Sequence, residues 1–466
     1  MRILVVGAGP TGISAAWRLA ERGHDDWILV EGQHHAGGLA TSIRDANGFT
    51  WDLGGHVLFS HYRYFDELMR EALGDGWVEH EREAWVWMRQ GWVPYPLQNN
   101  IWRLPPDDLA KCLDGLVAIQ GKASAVGPPA TFAEWLQRAF GAGLCETFML
   151  PYNFKVWAFT PDKLGVGWMG ERVATVDLAR VLRNLVYRRD DVGWGPNATF
   201  RFPLHGGTGA IWDALAAKLP PGKLALGRRL VRVDTAGRLA HFDDGSTEHY
   251  DRLLSSVPLD LLLRLLSDRP DLTARAGEFV HSSSHIVGVG FAGSVPASLA
   301  TKCWMYFPEP ETPFYRVTVF SNYSPNNVAL PGQQWSLMAE ISESADKPVG
   351  AAHIVDEAIA GFRYVGLIDE ATPIVSTWHR RLEHGYPTPW LDRDAVLDVV
   401  MPELEACGIF SRGRFGAWKY EVSNQDHSAM QGVEAVDYML AETPEHTVRG
   451  VMGVEPAPVG RGVWSR

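Results

Sequence analysis

Arg2-Ile3-Leu4-Val5-Val6-Gly7-Ala8-Gly9-Pro10-Thr11-Gly12 is the stretch that decides the fold of this 466-residue chain. Residues 2–6 are a short apolar run of the kind buried in a parallel strand. Gly7, Gly9 and Gly12 follow at G-x-G-x-x-G spacing, and residues 11–22 read as a helix with small residues on one side. A second strand, Trp27-Ile28-Leu29-Val30, ends at Glu31. Strand, glycine turn, helix and an acidic residue roughly 20 positions on make a dinucleotide-binding βαβ opening. The helix start offers N–H groups and partial positive charge to a pyrophosphate. Glu31 is expected to accept hydrogen bonds from the adenosine ribose.

Two further glycine pairs extend this reading. Gly37-Gly38-Leu39 follows Glu31 closely. It suits a chain folding back over the extended diphosphate of FAD, which a simple NAD fold seldom needs. Gly38 and Leu39 are therefore assigned to FAD. Asp52-Leu53-Gly54-Gly55-His56 then places paired glycines where backbone approaches something flat or charged. His56 is held at that contact.

Composition narrows the class. With 46% hydrophobic and 21% charged residues the chain has ample material for a core. A formal charge of −12 argues against non-specific binding to nucleic acid or anionic membrane. It leaves room for a locally basic pocket. The 19 tryptophans read mainly as packing. Cys112, Cys145, Cys303 and Cys407 are widely spaced and form no metal or redox motif, so we expect buried thiols, no metal and a cytoplasmic location. The apolar start runs straight into the glycine turn and is not read as a signal peptide. No run of about 18 uncharged apolar residues predicts a membrane span.

Further along, residues 104–192 turn helical, punctuated by Gly127-Pro128-Pro129. Residues 222–257 read as strand, turn and strand. From 283 to 345, HIVGVGF, FYRVTVFSNY and WSLMAEIS predict an antiparallel sheet. After about 393 a helix, a strand and a helix are expected, and the tail from Pro456 reads as loose.

Taken together, these motifs resemble the flavin-dependent UDP-galactopyranose mutases, in their larger eukaryotic-like subgroup. The resemblance runs through GGHVLFSHYRYFD at 54–66, PYNFKVWA at 151–158, GERVA at 170–174, WGPNATFRFP at 194–203, CWMYFP at 303–308, HGYPTP at 384–389 and SRGRFGAWKYEVSNQDHS at 411–428. It implies an α/β fold. A discontinuous Rossmann-type FAD-binding domain covers 1–80, 200–270 and 393–466, with an inserted helical bundle at 100–195. An antiparallel β-sheet domain covers 81–99 and 275–392. The implied reaction is a non-redox pyranose–furanose interconversion of a nucleotide-sugar, in which N5 of reduced FAD is the nucleophile at the anomeric carbon. NADPH or NADH is the implied transient reductant. Oligomeric state is left open, a homo-oligomer included.

The resemblance also assigns residues. Arg172 and Arg316 fall where the family has its diphosphate arginines; two such charges about 4 Å from the leaving group matter by roughly 4 kcal/mol each at an effective dielectric of 20. Tyr306, Tyr386 and Tyr420 ring the same diphosphate. Trp304 and Asn197 line the sugar, Asn153 and Trp157 the nucleotide side. Tyr95, Gln98 and Phe148 belong to the base. Arg414 lies beside the flavin and Arg82 near sugar and ring. Asn424, Gln425 and Ser428 open an apolar helix whose dipole favours negative charge at the flavin. Phe59, His61, Asp426 and His427 are second choices. Two departures stand out. Leu97 replaces the phenylalanine of fungal members and predicts room for a purine, hence a GDP-hexose alternative. Leu150 replaces a common arginine. An amine-oxidase-like flavin oxidoreductase and a non-catalytic nucleotide-sugar binder are the competing readings.

Overall fold

The computed structural model describes residues 1–120, 127–169, 173–193 and 198–457. Its first layer is a five-stranded sheet with the order 409–411, 252–255, 3–6, 27–31, 224–226, every neighbour parallel. Strand Ile3–Val6 is buried throughout because it is central and covered on both faces. Helix Pro10–Glu21 lies along helix Gln425–Ala441. Their approach is set at Gly432, where a Cβ would fall 2.1 Å from the Thr11 carbonyl oxygen. Buried Arg18 crosses the same seam to Asp437, at 2.9 and 2.7 Å. The C-terminal stretch from Pro456 is described only as far as Ala457, whose carbonyl accepts from Arg18.

The second layer is a seven-stranded sheet ordered 374–387, 281–292, 334–343, 316–319, 304–306, 84–88, 91–94. It is antiparallel except where 304–306 meets 84–88 in parallel. The sequence predicts a continuous strand over FYRVTVFSNY. The strand instead stops at Val319 and Phe320–Tyr323 turns helical, because Asn322 is drawn back onto the carbonyls of Leu299 and Lys302. Helices Pro106–Ile119, Phe132–Leu144, Leu150–Trp157 and Leu178–Tyr187 make a third unit with its own core.

The two sheets are joined by a small hairpin, Ser42–Arg44 with Thr50–Asp52. Phe49 and Trp51 lie over strand 281–292 at Gly290 and Gly288, where a Cβ would come within 2.5 and 2.6 Å of their rings. Trp51 also stacks on Trp378, ring centroids 6.2 Å apart. These two glycines of HIVGVGF make the notch that receives the hairpin. Next in the chain, Asp52 is fully buried and accepts from the hydroxyls of Ser42 and Thr208, both at 2.5 Å. Burial nevertheless pushes its carboxyl up to about 6. The Gly54-Gly55-His56 turn therefore leaves a segment anchored on both sides.

Candidate active site

The layers enclose one cleft of about 1560 Å³. One end is walled by Gly7, Gly9, Gly38, Leu39 and Glu31. Gly7 has φ +98°, and a Cβ there would fall 2.3 Å from the hydroxyl of Ser256. Gly38 faces Gly9 so closely that its Cβ would fall 3.2 Å from the Gly9 Cα. The amide of Gly37 donates to the Ala8 carbonyl at 2.8 Å. The two glycine turns thus form a side-chain-free cradle at a helix N-terminus, the shape and polarity a dinucleotide pyrophosphate requires. Gly12 is not on the wall. Its Cβ would strike the Gly7 carbonyl oxygen at 1.8 Å, so Gly12 closes helix onto turn rather than touching the ligand. Glu31 accepts from the amides of Ala8 and Gln33 at 2.8 and 2.7 Å. Its carboxylate is thereby fixed in place with acceptor capacity left for ribose hydroxyls.

The middle of the cleft is built on the large sheet. Tyr306 and Arg316 are directly opposite in register, as are Arg316 and Glu340, then Glu340 and Ile286, then Ile286 and Arg380. Side chains in one such row share a face, and all five line the cleft. Arg316 is not the open fork that the sequence suggests. Its Nε and Nη2 donate to Glu340 at 2.6 and 2.8 Å, and Nη1 makes no hydrogen bond among the described residues. A buried guanidinium without a counter-charge is too costly to hold, and Glu340, opposite in the pair, supplies one. The Arg316 side chain keeps 21% of its surface open. Glu340 also accepts from the Tyr315 hydroxyl at 2.9 Å and the Gly55 amide at 3.0 Å. Burial raises its carboxyl, but Arg316 and these two donors outweigh burial and hold it below the usual range.

This answers what Gly55 approaches. A Cβ on it would fall 2.9 Å from Glu340 Oε1 and 3.2 Å from Arg316 Nη2. The neighbour is a charged pair on the sheet. Gly54 has φ +148°, which favours glycine. His56 follows, with a buried Nδ1 that has no partner. Burial, aided by Arg414 and Arg316 against the pull of Glu340, takes its imidazole down to about 4, so it is neutral at pH 7.

Aromatic residues close the remaining wall. The Trp304 indole N–H donates to the Tyr306 hydroxyl at 2.8 Å, which leaves the Tyr306 proton to donate into the cleft. Tyr386 and Tyr420 are 5.8 Å apart, and the Arg414 guanidinium sits 5.0 Å over the Tyr386 ring. Arg414 is held by the Ser423 hydroxyl at 2.8 Å and the Gly385 carbonyl at 3.1 Å. Burial raises the hydroxyls of Tyr306 and Tyr386, so both remain neutral donors at pH 7. Trp157 is only 2% exposed. It nonetheless lines the cleft and packs edge-on against Tyr386 and Tyr420, at 5.8 and 4.8 Å.

At the far end, Tyr95, Gln98, Phe148, Asn153 and Arg82 line the cleft. Gln98 donates to the Ala174 carbonyl at 2.7 Å, while its buried Oε1 has no partner. Phe148 stacks on Tyr152 at 5.1 Å, and Asn153 bonds back to Met149 at 2.8 Å. Leu97 does not line the cleft. It is fully buried in the core of the helical unit, because successive residues of the turn Leu97–Asn99 point apart and Gln98 takes the inward position. The leucine therefore opens no room beside the base and does not favour a purine. Leu150 likewise packs against that core.

Asn424, Gln425 and Ser428 line the cleft where helix Gln425–Ala441 begins, and Gln425 Oε1 accepts from Trp212 at 2.8 Å. Phe59, His61 and His427 share this wall; the His61 ring bonds Asp426 at 2.7 Å and stacks on His427 at 4.8 Å. Arg172 and Asn197 lie outside the described residues. Sequence reasoning missed Glu340 and Tyr315. Glu340 had a signal, a lone charge inside the apolar strand WSLMAEIS. Tyr315 had only its place beside Arg316.

The model of the flavin containing amine oxidoreductases matches residues 10–349. A solved structure of a reduced UDP-galactopyranose mutase is 50% identical, with a TM-score of 0.93 over 96% of this chain and 97% of that one. A protoporphyrinogen oxidase structure from Exiguobacterium has a TM-score of 0.70 over 95% and 99% of the two chains; at 18% identity it shows the fold alone. A 15-cis-phytoene desaturase of Glycine max is 35% identical over 83 residues, 17% of this chain and 14% of the desaturase. No described helix is long and apolar enough to cross a membrane.

Proposed function

The chain belongs to the flavin containing amine oxidoreductases and, within them, to the UDP-galactopyranose mutases; from that premise we propose the division of labour by which its cleft interconverts the pyranose and furanose forms of UDP-galactose. The full-length likeness to a reduced mutase carries the function. Nothing in the cleft favours a GDP-hexose once Leu97 is placed in the core. An amine site would be apolar or an aromatic cage, and this one is centred on an arginine, a glutamate and three tyrosines.

FAD would be held by the paired glycine turns, by Glu31 and by the start of helix Gln425–Ala441. When bound and reduced, it supplies the nucleophile for the anomeric carbon. The remaining chemistry belongs to the chain. Arg316 and the hydroxyls of Tyr306, Tyr386 and Tyr420 line the cleft and would donate to a diphosphate there; donors placed where charge develops lower the barrier to its departure. Arg172 would add a second charge. Gln98 Oε1 is an acceptor suited to the N3–H of uracil, with Tyr95 and Phe148 as apolar walls. Asn153 and Arg82 complete the polar contacts towards nucleotide and sugar, as Trp304 and Asn197 do for the sugar. His56, neutral and unprotonated, accepts or donates at the flavin edge and is not a cationic acid. NADPH or NADH would dock transiently in the same cleft, since the sequence holds no second dinucleotide turn. The free cysteines support a reducing, cytoplasmic setting.

The test is direct. Purified enzyme is reduced with dithionite and given UDP-galactopyranose or UDP-galactofuranose, and the products are resolved by chromatography. Interconversion without net oxidation is expected; its absence in both directions overturns the assignment.

A further inference from the structure

We propose that Glu340 is a positioning residue that loosens the hold of Arg316 on the nucleoside diphosphate, so that the diphosphate can leave the sugar and return to it. The inference rests on reading the cleft as the nucleotide-sugar site. Glu340 takes Nε and Nη2 of Arg316 at 2.6 and 2.8 Å. These are two adjacent N–H groups of the kind that bind phosphate bidentately. Both N–H groups of Nη1 and the second N–H of Nη2 are left to the ligand. Arg316 thus meets the diphosphate with its outer edge alone, its inner edge held by a negative charge that opposes the ligand's own.

A pyranose–furanose interconversion makes unusual demands on such an arginine. The anomeric C–O bond breaks and the electron pair leaves with the diphosphate, which then waits in the site. After the ring recloses through its other hydroxyl, the diphosphate attacks the same carbon, the C–O bond reforms, and the nucleophile that bound FAD would supply is displaced with its electron pair. An unopposed guanidinium in a buried site would stabilise the departed diphosphate too well and slow its return. Catalysis gains only from what is stronger in the transition state than in the states flanking it. A fixed carboxylate behind Arg316 limits that over-stabilisation.

The carboxylate is built to stay. Tyr315 donates to Oε2 at 2.9 Å and the Gly55 amide to Oε1 at 3.0 Å. Tyr315 is 2% exposed and Glu340 3%. The absence of a Cβ on Gly55 is what lets the loop reach, since one would lie 2.9 Å from Oε1. Arg316 and Glu340 are also directly opposed in register, so neither side chain can reach a different partner without leaving its strand's face. If Glu340 were there only to neutralise a buried arginine, the extra donors from the glycine loop and from Tyr315 would have no purpose beyond structure. The affinity for nucleotide separates the two roles.

The measurement is UDP binding to the flavin-loaded protein, followed by tryptophan fluorescence and calorimetry, with kcat and KM for UDP-galactofuranose alongside. Glu340→Gln keeps the shape but removes the charge and turns one acceptor oxygen into an NH2 donor. It should bind UDP about tenfold more tightly, a change one neighbouring charge readily produces, and should lower kcat and KM together. Glu340→Asp keeps the charge and should stay within about twofold of the parent. If the parent binds UDP and Glu340→Gln binds it no more tightly, the proposal is overturned while the site reading stands. If the parent does not bind UDP, both fall. Should Glu340→Gln fail to retain flavin, Tyr315→Phe carries the test. With one donor lost, the carboxylate opposes the ligand more strongly and UDP binding should weaken about twofold; tighter binding overturns the proposal.

Discussion

The two ends of the cleft are made in opposite ways. The dinucleotide cradle comes from residues within about 30 positions of each other, chiefly backbone, and its specificity lies in absent side chains. The wall that faces the sugar and diphosphate lies far from the cradle in the chain: Tyr306, Arg316 and Glu340 meet through sheet register, and Tyr386 on strand 374–387 and Tyr420 on the 3₁₀ turn Tyr420–Val422 join them. The first is a matter of where a Cβ cannot fit. The second depends on which charges and hydroxyls end up in one row. A backbone site should fail all at once when crowded, and a side-chain site should degrade in steps.

The cradle offers the largest effect. Gly12→Ala places a Cβ 1.8 Å from the Gly7 carbonyl oxygen, with no flexible side chain to give way. We expect loss of flavin on purification, read from absorbance near the flavin bands, and a protein that is largely misfolded. Retention of flavin by this variant would show that the cradle tolerates crowding and would break the contrast.

On the opposite wall Arg316→Lys should keep flavin and lower kcat by about 10²-fold, the usual cost of losing one donor to developing charge. A lysine keeps the charge that Glu340 requires but not the fork. Arg316→Ala is a harsher change, because it leaves Glu340 buried without a partner at a cost of about 3–5 kcal/mol. A lower melting temperature for Ala than for Lys, with flavin still bound by Lys, separates catalysis from stability.

The same contrast explains what could be read from the sequence. Gly7, Gly9, Gly12 and Glu31 carry their meaning in local spacing, because strand, turn and helix are consecutive. Even there the distinct task of Gly12 came only from the structure. Arg316 and the tyrosines were legible through resemblance, as words, and not through periodicity. Glu340 was not read, because nothing in the strand WSLMAEIS says which residue lies across from it; register between strands 316–319 and 334–343 decides that. Leu97 failed for a related reason. Its neighbour Gln98 does line the cleft, but a 3₁₀ turn sends adjacent side chains in different directions, so the substitution reads as a wider base site when it is a core residue.

Gly55 joins the two regions and should show an intermediate effect. Gly55→Ala puts a Cβ 2.9 Å from Glu340 Oε1, at a position where φ does not itself demand glycine. The carboxylate or the loop must shift by a few tenths of an ångström. We expect flavin to be retained and kcat/KM to fall roughly tenfold, the size of one disturbed charge-assisted hydrogen bond. Loss of flavin instead would assign the loop to the cradle.

The smallest effect tests the neutral state of His56 without any ligand chemistry. Its folded pKa, about 4, lies below the unfolded value near 6.5. Between those values the unfolded chain binds the extra proton, so stability falls as pH drops through the window and is unaffected above it. One proton difference is worth about 1.4 kcal/mol per pH unit, or ~1 °C in a chain of this length. Thermal melts from pH 4.5 to 7.5 should therefore slope more gently below pH 6.5 for His56→Asn than for the parent, and run parallel above it. Parallel curves throughout would mean that the imidazole titrates normally in the folded protein and that burial does not strip water from it.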